Sequence, residues 1–353
     1  MQESLKISRI QKHWESFSDQ ASWKEGDALR VGIPRTLSFF TLYPLLKPFF
    51  DGLGVEVVVS PASNKALLDE GVKDTVNDAC VPIKLFHGHV VALKDKVDVL
   101  FMPRIISLDG KNTLCPKFLG LPDMVKYSVS NLPEIIETRL DMKKGKMEIY
   151  RFLYRVGKRF TDNKVKILRA IWHARYKFSR YRKLLLKGLT PEEAFTCLHT
   201  GQEPPHKEQS GQIKLAVLGY PYTIYDDYIS VGLLDMLREQ GVRVYTAEMV
   251  PEEAMKRMSK KLPKNLFWYY SNRVVWGSQY YINEQNIDGI IHVTAFSCGP
   301  DSMTNKLVEL EAKQHQPKIP FLTITVDEHT GEAGVATRVE AFVDLIKRKK
   351  GII

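Results

Sequence analysis

One loop pattern occurs twice in this chain at a fixed distance, and it restricts the fold more than any other feature. Val31-Gly32-Ile33-Pro34-Arg35-Thr36-Leu37 is answered by Leu218-Gly219-Tyr220-Pro221-Tyr222-Thr223-Ile224. Further on, Gly54-Val55-Glu56-Val57 is answered by Gly241-Val242-Arg243-Val244, and both correspondences are offset by 187 residues. Each unit reads as a strand, a Gly-x-Pro loop, an amphipathic helix, a glycine that stops the helix, and a Val-rich strand. That is the opening of a parallel βαβ arrangement, used twice.

Each half offers another strand, at Val97–Met102 and at Ile287–Val293, and a last one runs from Pro320 to Val326 before a closing helix over about 335–348. The reading is therefore α/β: two doubly wound, parallel-sheet (Rossmann-like) domains from an internal repeat, joined by a helical connector. Residues 1–28 form an N-terminal segment, 29–142 the first domain, 143–210 the connector and 211–353 the second domain. Charge sets the connector apart. The chain carries +10 overall, yet residues 143–187 hold sixteen Lys/Arg against two acids, which leaves the remainder near −4. Tyr150, Phe152, Ile167, Leu168, Ile171 and Trp172 lie among those charges and predict one or two long helices. Thr190-Pro191-Glu192-Glu193 reads as a helix start, and Gln202-Glu203-Pro204-Pro205-His206 as a linker.

Three of the four cysteines sit in Pro- or Gly-marked breaks: Asp78-Ala79-Cys80-Val81-Pro82, Leu114-Cys115-Pro116-Lys117 and Ser297-Cys298-Gly299-Pro300. Cys115 and Cys298 each follow a strand, at the edge where open α/β sheets bind ligands. A free cysteine is more often a small buried hydrophobe than a ligand, and no Cys-x2-Cys pair suggests zinc or ferredoxin chemistry. Thiolates on separate loops are nevertheless what a metal cluster needs. Three of them fill three corners of a cubane and leave the fourth iron open. Cys197, at helical spacing between apolar residues, reads as core or a surface thiol.

Other groups have two readings each. His87-Gly88-His89 could ligate a metal or pack a helix through its glycine. Lys84, one turn after Cys80, could lower a thiolate pKa or hold an anion. Asp327-Glu328-His329-Thr330-Gly331-Glu332 either caps the closing helix or places Glu328 or His329 as a proton donor. Asp301 reads as a cap. No Gly-x-Gly-x-x-Gly and no Gly-x4-Gly-Lys-Ser/Thr is present, so the chain is not expected to hydrolyse ATP. No run is long and apolar enough for a membrane span or a secretory signal, and few cysteines point to the cytoplasm. The basic segment reads most simply as a solvated helix face; an acidic partner protein, CoA-type phosphates or nucleic acid could use the same charges, with nucleic acid last because no reader motif occurs.

The order of these motifs resembles the acyl-CoA dehydratase activase-related family. The matching residues are Val31–Arg35, Asp78–Lys84 with His87-Gly88-His89, Cys115-Pro116-Lys117 with Gly120-Leu121-Pro122-Asp123, Cys298–Ser302 and Asp327–Gly334. That family is similar to the iron–sulfur subunits of 2-hydroxyacyl-CoA dehydratases and benzoyl-CoA reductases, and to double-cubane cluster proteins. The resemblance spans about residues 29–353 and is compositional only in the connector. It implies a [4Fe-4S] cluster, or a double-cubane cluster, on Cys80, Cys115 and Cys298. Lys84 and Arg35 would bind the cofactor, and Glu328 and His329 would be catalytic. It implies low-potential electrons from a dimeric ATP-dependent activase, expected as a separate chain, an acyl-CoA substrate, and a homodimer. The product would be a dehydratase or reductase component; the alternative is a non-catalytic accessory or scaffold protein that binds the activase or delivers a cluster.

Overall fold

The computed structural model describes residues 29–201 and 212–352. The expected N-terminal segment and the Gln202–His206 linker lie outside the described residues. In the first half, β1 (Arg30–Ile33) passes through the Gly-Ile-Pro loop into α1 (Phe39–Leu53). Gly54, at φ 70°, stops that helix, and its N–H returns to the carbonyls of Asp51 and Phe50. Then follow β2 (Glu56–Val59), α2 (Lys65–Lys73), α3 (Val81–Lys94), β3 (Val99–Phe101), β4 (Arg104–Ser107), α4 (Pro116–Leu119), α5 (Leu121–Ser128), β5 (Glu134–Ile136) and β6 (Arg139–Asp141). The basic segment forms α6 (Glu148–Gly157) and α7 (Lys164–Leu186). Thr190 opens α8 (Pro191–Thr200) with a capping box closed by Glu193.

In the second half, β7 (Ile213–Gly219) leads into α9 (Pro221–Ile224), α10 (Asp227–Ser230) and α11 (Leu233–Glu239). The single amphipathic helix expected there is thus three short ones. Asp226 restarts the chain by accepting the N–H groups of Tyr228 and Ile229. Val231 and Gly232, both left-handed, then break it again. The rest is β8 (Val242–Tyr245), α12 (Glu252–Ser259), α13 (Tyr269–Glu284), β9 (Gly289–Ala295), α14 (Gly299–Gln314), β10 (Phe321–Val326) and α15 (Glu332–Lys349).

Two four-stranded sheets result, ordered β2-β1-β3-β5 and β10-β9-β7-β8, and every pairing is parallel. In both, the first strand of the half lies between the second and the third. Parallel strands need crossovers, and helices supply them and cover the faces. That is why β9 is buried along all seven residues. A separate parallel pair, β4–β6, carries the chain toward Cys115. The largest apolar cluster draws on both halves, with Phe49, Leu100 and Phe152 joined to Leu218 and Tyr281. A second cluster sets Leu68 and Leu85 of α2 and α3 against Val217, Ile291 and Phe342.

Helices α2 and α3 touch backbone to backbone. A Cβ on Gly71 would stand 1.9 Å from the Lys84 carbonyl oxygen, and one on Gly88 1.8 Å from the Leu67 carbonyl oxygen. The glycine of His87-Gly88-His89 is therefore a packing device. Neither neighbour obstructs that role: His87 bonds the Ile83 carbonyl at 2.9 Å, and His89 lies between two serines. Gly88→Ala should cost at least about 3 kcal/mol, the upper range for overpacking, because backbone cannot rotate away. Urea denaturation of the variant checks this; a loss under about 1 kcal/mol would show that the helices separate freely.

Candidate functional site

Each of the three cysteines stands at the N-cap of a helix whose first turn holds a proline. Cys80 precedes α3 with Pro82, Cys115 precedes α4 with Pro116, and Cys298 precedes α14 with Pro300. Proline suits that position because its missing N–H would have no helical partner there. None of the sulfurs makes a capping hydrogen bond of good geometry. The first-turn N–H groups of Ile83, of Phe118 and Lys117, and of Asp301 still act on the sulfurs and favour their thiolate forms.

One carbonyl joins the three loops. The Asp78 oxygen, two residues before Cys80, accepts from Lys117 Nζ, two residues after Cys115. It also accepts from Ser297 Oγ, next to Cys298, at 3.1 Å. Ser297 adopts a left-handed φ of 65°, a conformation a non-glycine residue holds only where its surroundings demand it. The thiols feel one another. Burial pushes Cys80 up to about 11, and the nearby Cys115 adds to the rise while Lys117 opposes it. Burial also raises Cys115, and it raises Cys298 strongly, with further contributions from Asp301 and both other thiols. Tyr222 is buried beside them, and after burial its hydroxyl is influenced by Cys115, Cys298, Tyr220 and Cys80. Among the described residues no set of three or more His, Cys, Asp or Glu side chains stands at the spacing of a single metal ion.

Lys84 and Glu328 are brought together, Nζ to Oε1 at 2.8 Å. The lysine side chain is 7% exposed and the glutamate 30%. This pair links the first half to the loop after β10. Lys117, rather than Lys84, is the cation acting on Cys80 and Cys115. His329 is exposed, and its backbone N–H bonds Asp327 Oδ1 at 2.8 Å. Asp301 does not cap α14; it is fully buried and meets His292 Nε2 of β9 at 3.2 Å. Cys197 lies apart, packed on the small cluster of Tyr181, Leu185 and Leu189.

Arg35 belongs to a second polar group. Its N–H donates to Ser60 Oγ at 2.8 Å, and its guanidinium reaches Glu192 at 3.2 Å. Ser60 bonds His89 Nδ1 at 2.8 Å, Ser63 bonds His89 Nε2 at 2.9 Å, and Ser63 donates to Asp226 across the two halves. The directions are consistent for a neutral His89 with its proton on Nε2: Ser60 donates to Nδ1, Nε2–H donates to Ser63, and Ser63 donates to the carboxylate. Burial, aided by Arg35, lowers His89 to about 4. Burial raises Asp226 to about 6.

Lys117, Tyr222 and Ser297 were not among the sequence candidates, although all three lie in the quoted loops. A usable signal existed, since proline in the first turn after each cysteine marks three helix N-termini.

A family model described as "CoA enzyme activase uncharacterised domain (DUF2229)" matches residues 30–250. One described as "2-hydroxyglutaryl-CoA dehydratase, D-component" matches residues 185–346. No curated protein matches the chain. Among solved structures, one described as a phosphosugar isomerase from Silicibacter pomeroyi DSS-3 aligns over 92% of this chain and 87% of its own at 10% identity; at a TM-score of 0.19 it carries no argument. No helix among the described residues is long and apolar enough to cross a membrane.

Two measurements test this geometry. Removing Glu328 leaves a buried lysine uncompensated, whereas removing Lys84 leaves a glutamate that reaches water. Glu328→Gln should therefore destabilise more than Lys84→Met, by about 1 kcal/mol or more in urea titrations; equal losses would remove the asymmetry. Asp226, raised in the folded state, contributes stability that is lost as pH rises from about 4 to 6. His89, lowered in the folded state, contributes stability that is lost as pH falls from about 6.5 to 4. In the native chain the two slopes oppose. Relative to native, Asp226→Asn should gain as pH rises from 4 to 6, and His89→Gln should lose over the same window, each by up to about 1.4 kcal/mol per pH unit. Parallel curves for native and variants would show that neither group is perturbed.

Proposed function

The chain belongs to the family of the CoA enzyme activase uncharacterised domain, and from that premise we propose that Cys80, Cys115 and Cys298 hold an iron–sulfur cluster that serves a reaction of the 2-hydroxyacyl-CoA dehydratase type. The observation that carries this reading is the meeting of three helix-capping thiol loops on the Asp78 carbonyl. The second family match, over residues 185–346, supports the same class of chemistry.

The residues present suit the group. Three half-buried thiols that repel one another's charge are poor thiolates alone, and bound iron would replace their protons. Three helix N-termini offer partial positive charge to the sulfurs. Corner cysteines of a cubane each bind a different iron, so they do not need the spacing of ligands on one ion. When bound, the cluster would supply low-potential electrons and one iron without a protein ligand. A [4Fe-4S] cluster and a double cubane shared by two chains both agree with three cysteines.

The chain's own residues take defined parts. Lys84 holds Glu328 through Oε1 and leaves Oε2 to accept a proton, and exposed His329 beside it exchanges that proton with solvent. Arg35, at the carboxyl edge of β1, offers its guanidinium to the anionic end of a CoA-type substrate, in competition with Glu192. Electrons come from an ATP-dependent activase on a separate chain, and the working form is a homodimer.

Iron and acid-labile sulfide are measured after strictly anaerobic purification, with EPR of the reduced protein. About four irons per chain are expected, with severe loss in Cys80→Ser, Cys115→Ser and Cys298→Ser and little in Cys197→Ser. Full iron content in all three variants, or none in the reconstituted native chain, would overturn the assignment.

A further inference from the structure

Helix α7 presents an unusual outer face. Val165, Arg169, Trp172, Tyr176, Lys183 and Leu186 recur every three or four residues, or at multiples of that spacing, along its 23 residues, and all are exposed. Residues at that spacing share one side of a helix. Trp172 is 71% and Tyr176 51% exposed, and their rings stack at 5.9 Å and 8°. Large aromatic rings are seldom left in water in this way. The opposite side of α7, through Ile167, Ala170, Ile171 and Ala174, is fully buried in the core. Of the cations on this helix, Arg182 pairs with Glu252 at 2.9 Å. Arg169, Lys177, Arg180 and Lys183 have no carboxylate within ion-pair reach among the described residues.

We infer that this ridge is a docking surface for an acidic protein partner, one whose carboxylates alternate with an apolar groove that takes Trp172 and Tyr176. Charge complementarity selects the occupant. A second copy of the chain would set one basic ridge against another, and like charges in contact are repelled. Phosphates reward the cations but offer nothing to Val165 or Leu186. Single-stranded nucleic acid stacks its bases on open aromatic faces, whereas Trp172 and Tyr176 already stack on each other. A bilayer takes a continuous apolar face, and here Arg169 and Lys183 interrupt it. A protein groove can match both the charged and the apolar positions, and stacked aromatics flanked by arginine are the anchors such interfaces favour. This inference stands whether or not the thiols hold a cluster.

The test uses the full chain and four probes at 100 mM salt: a 21-residue helical peptide alternating Glu with Leu along one face, polyglutamate of equal charge, a 20-base-pair DNA duplex, and vesicles with anionic headgroups. Isothermal titration reads the peptide, polyglutamate and duplex, and co-sedimentation the vesicles. The peptide should bind at least tenfold tighter than polyglutamate. Trp172→Ala with Tyr176→Ala should abolish that tenfold gain and leave polyglutamate binding unchanged. Arg169→Glu with Lys183→Glu should abolish binding of both. The melting temperature should hold in every variant, because these side chains are exposed. Tighter binding to duplex or vesicles, peptide affinity no better than polyglutamate, or affinity indifferent to the aromatic pair would overturn the assignment, as would concentration-dependent self-association lost in the aromatic variant.

Discussion

Everything at the thiol site hangs on how closely α3 lies against α2. Gly71 and Gly88 let the two backbones meet where any side chain would strike a carbonyl. With α3 held there, positions one turn apart along it face the second half of the chain. Cys80 opens the helix at the thiol site, Lys84 reaches Glu328, and His89, on another side of the helix, enters the chain of serines that ends on Asp226. A small shift of α3 would disturb all three at once, since each contact crosses between elements far apart in sequence.

Two of the polar contacts between the halves, Lys84 to Glu328 and Ser63 to Asp226, are partly buried, and this gives them their character. A buried lysine opposite a partly exposed glutamate, and a neutral histidine between two serines, replace the hydration these groups lose. Their geometry specifies one arrangement of the halves more than it adds net stability, because desolvation offsets much of the Coulombic gain. The apolar cluster that includes Phe49, Leu100, Leu218 and Tyr281 supplies the driving force across the same boundary. The thiols sit where these two kinds of contact meet: Cys80 and Cys298 pack on both apolar clusters.

Much of the architecture was legible beforehand. The Val-rich runs, the glycine stops and the Thr190 cap follow from local rules, and β9, β10 and α15 fall close to where periodicity put them. The second unit was not legible in the same way. Its helix is split because Asp226 and the left-handed Val231-Gly232 pair restart the chain, and side-chain capping of that sort competes with a pattern that looks continuous. Lys84 shows the same limit at the site. Sequence distance placed it beside Cys80, but its buried ammonium turns to Glu328, and Lys117, from another loop, takes the place near the thiols.

The sequence alone determined a parallel α/β chain, the capped helix start at Thr190, and a basic helical segment, because propensity, capping and periodicity act over a few residues. Only the tertiary structure decided that loops 35 and more residues apart share one carbonyl, that Gly88 is a packing contact, and that His89 and Asp226 belong together. Those outcomes depend on which surfaces exclude water together, and that is set by the packing of whole helices rather than by any local run of residues.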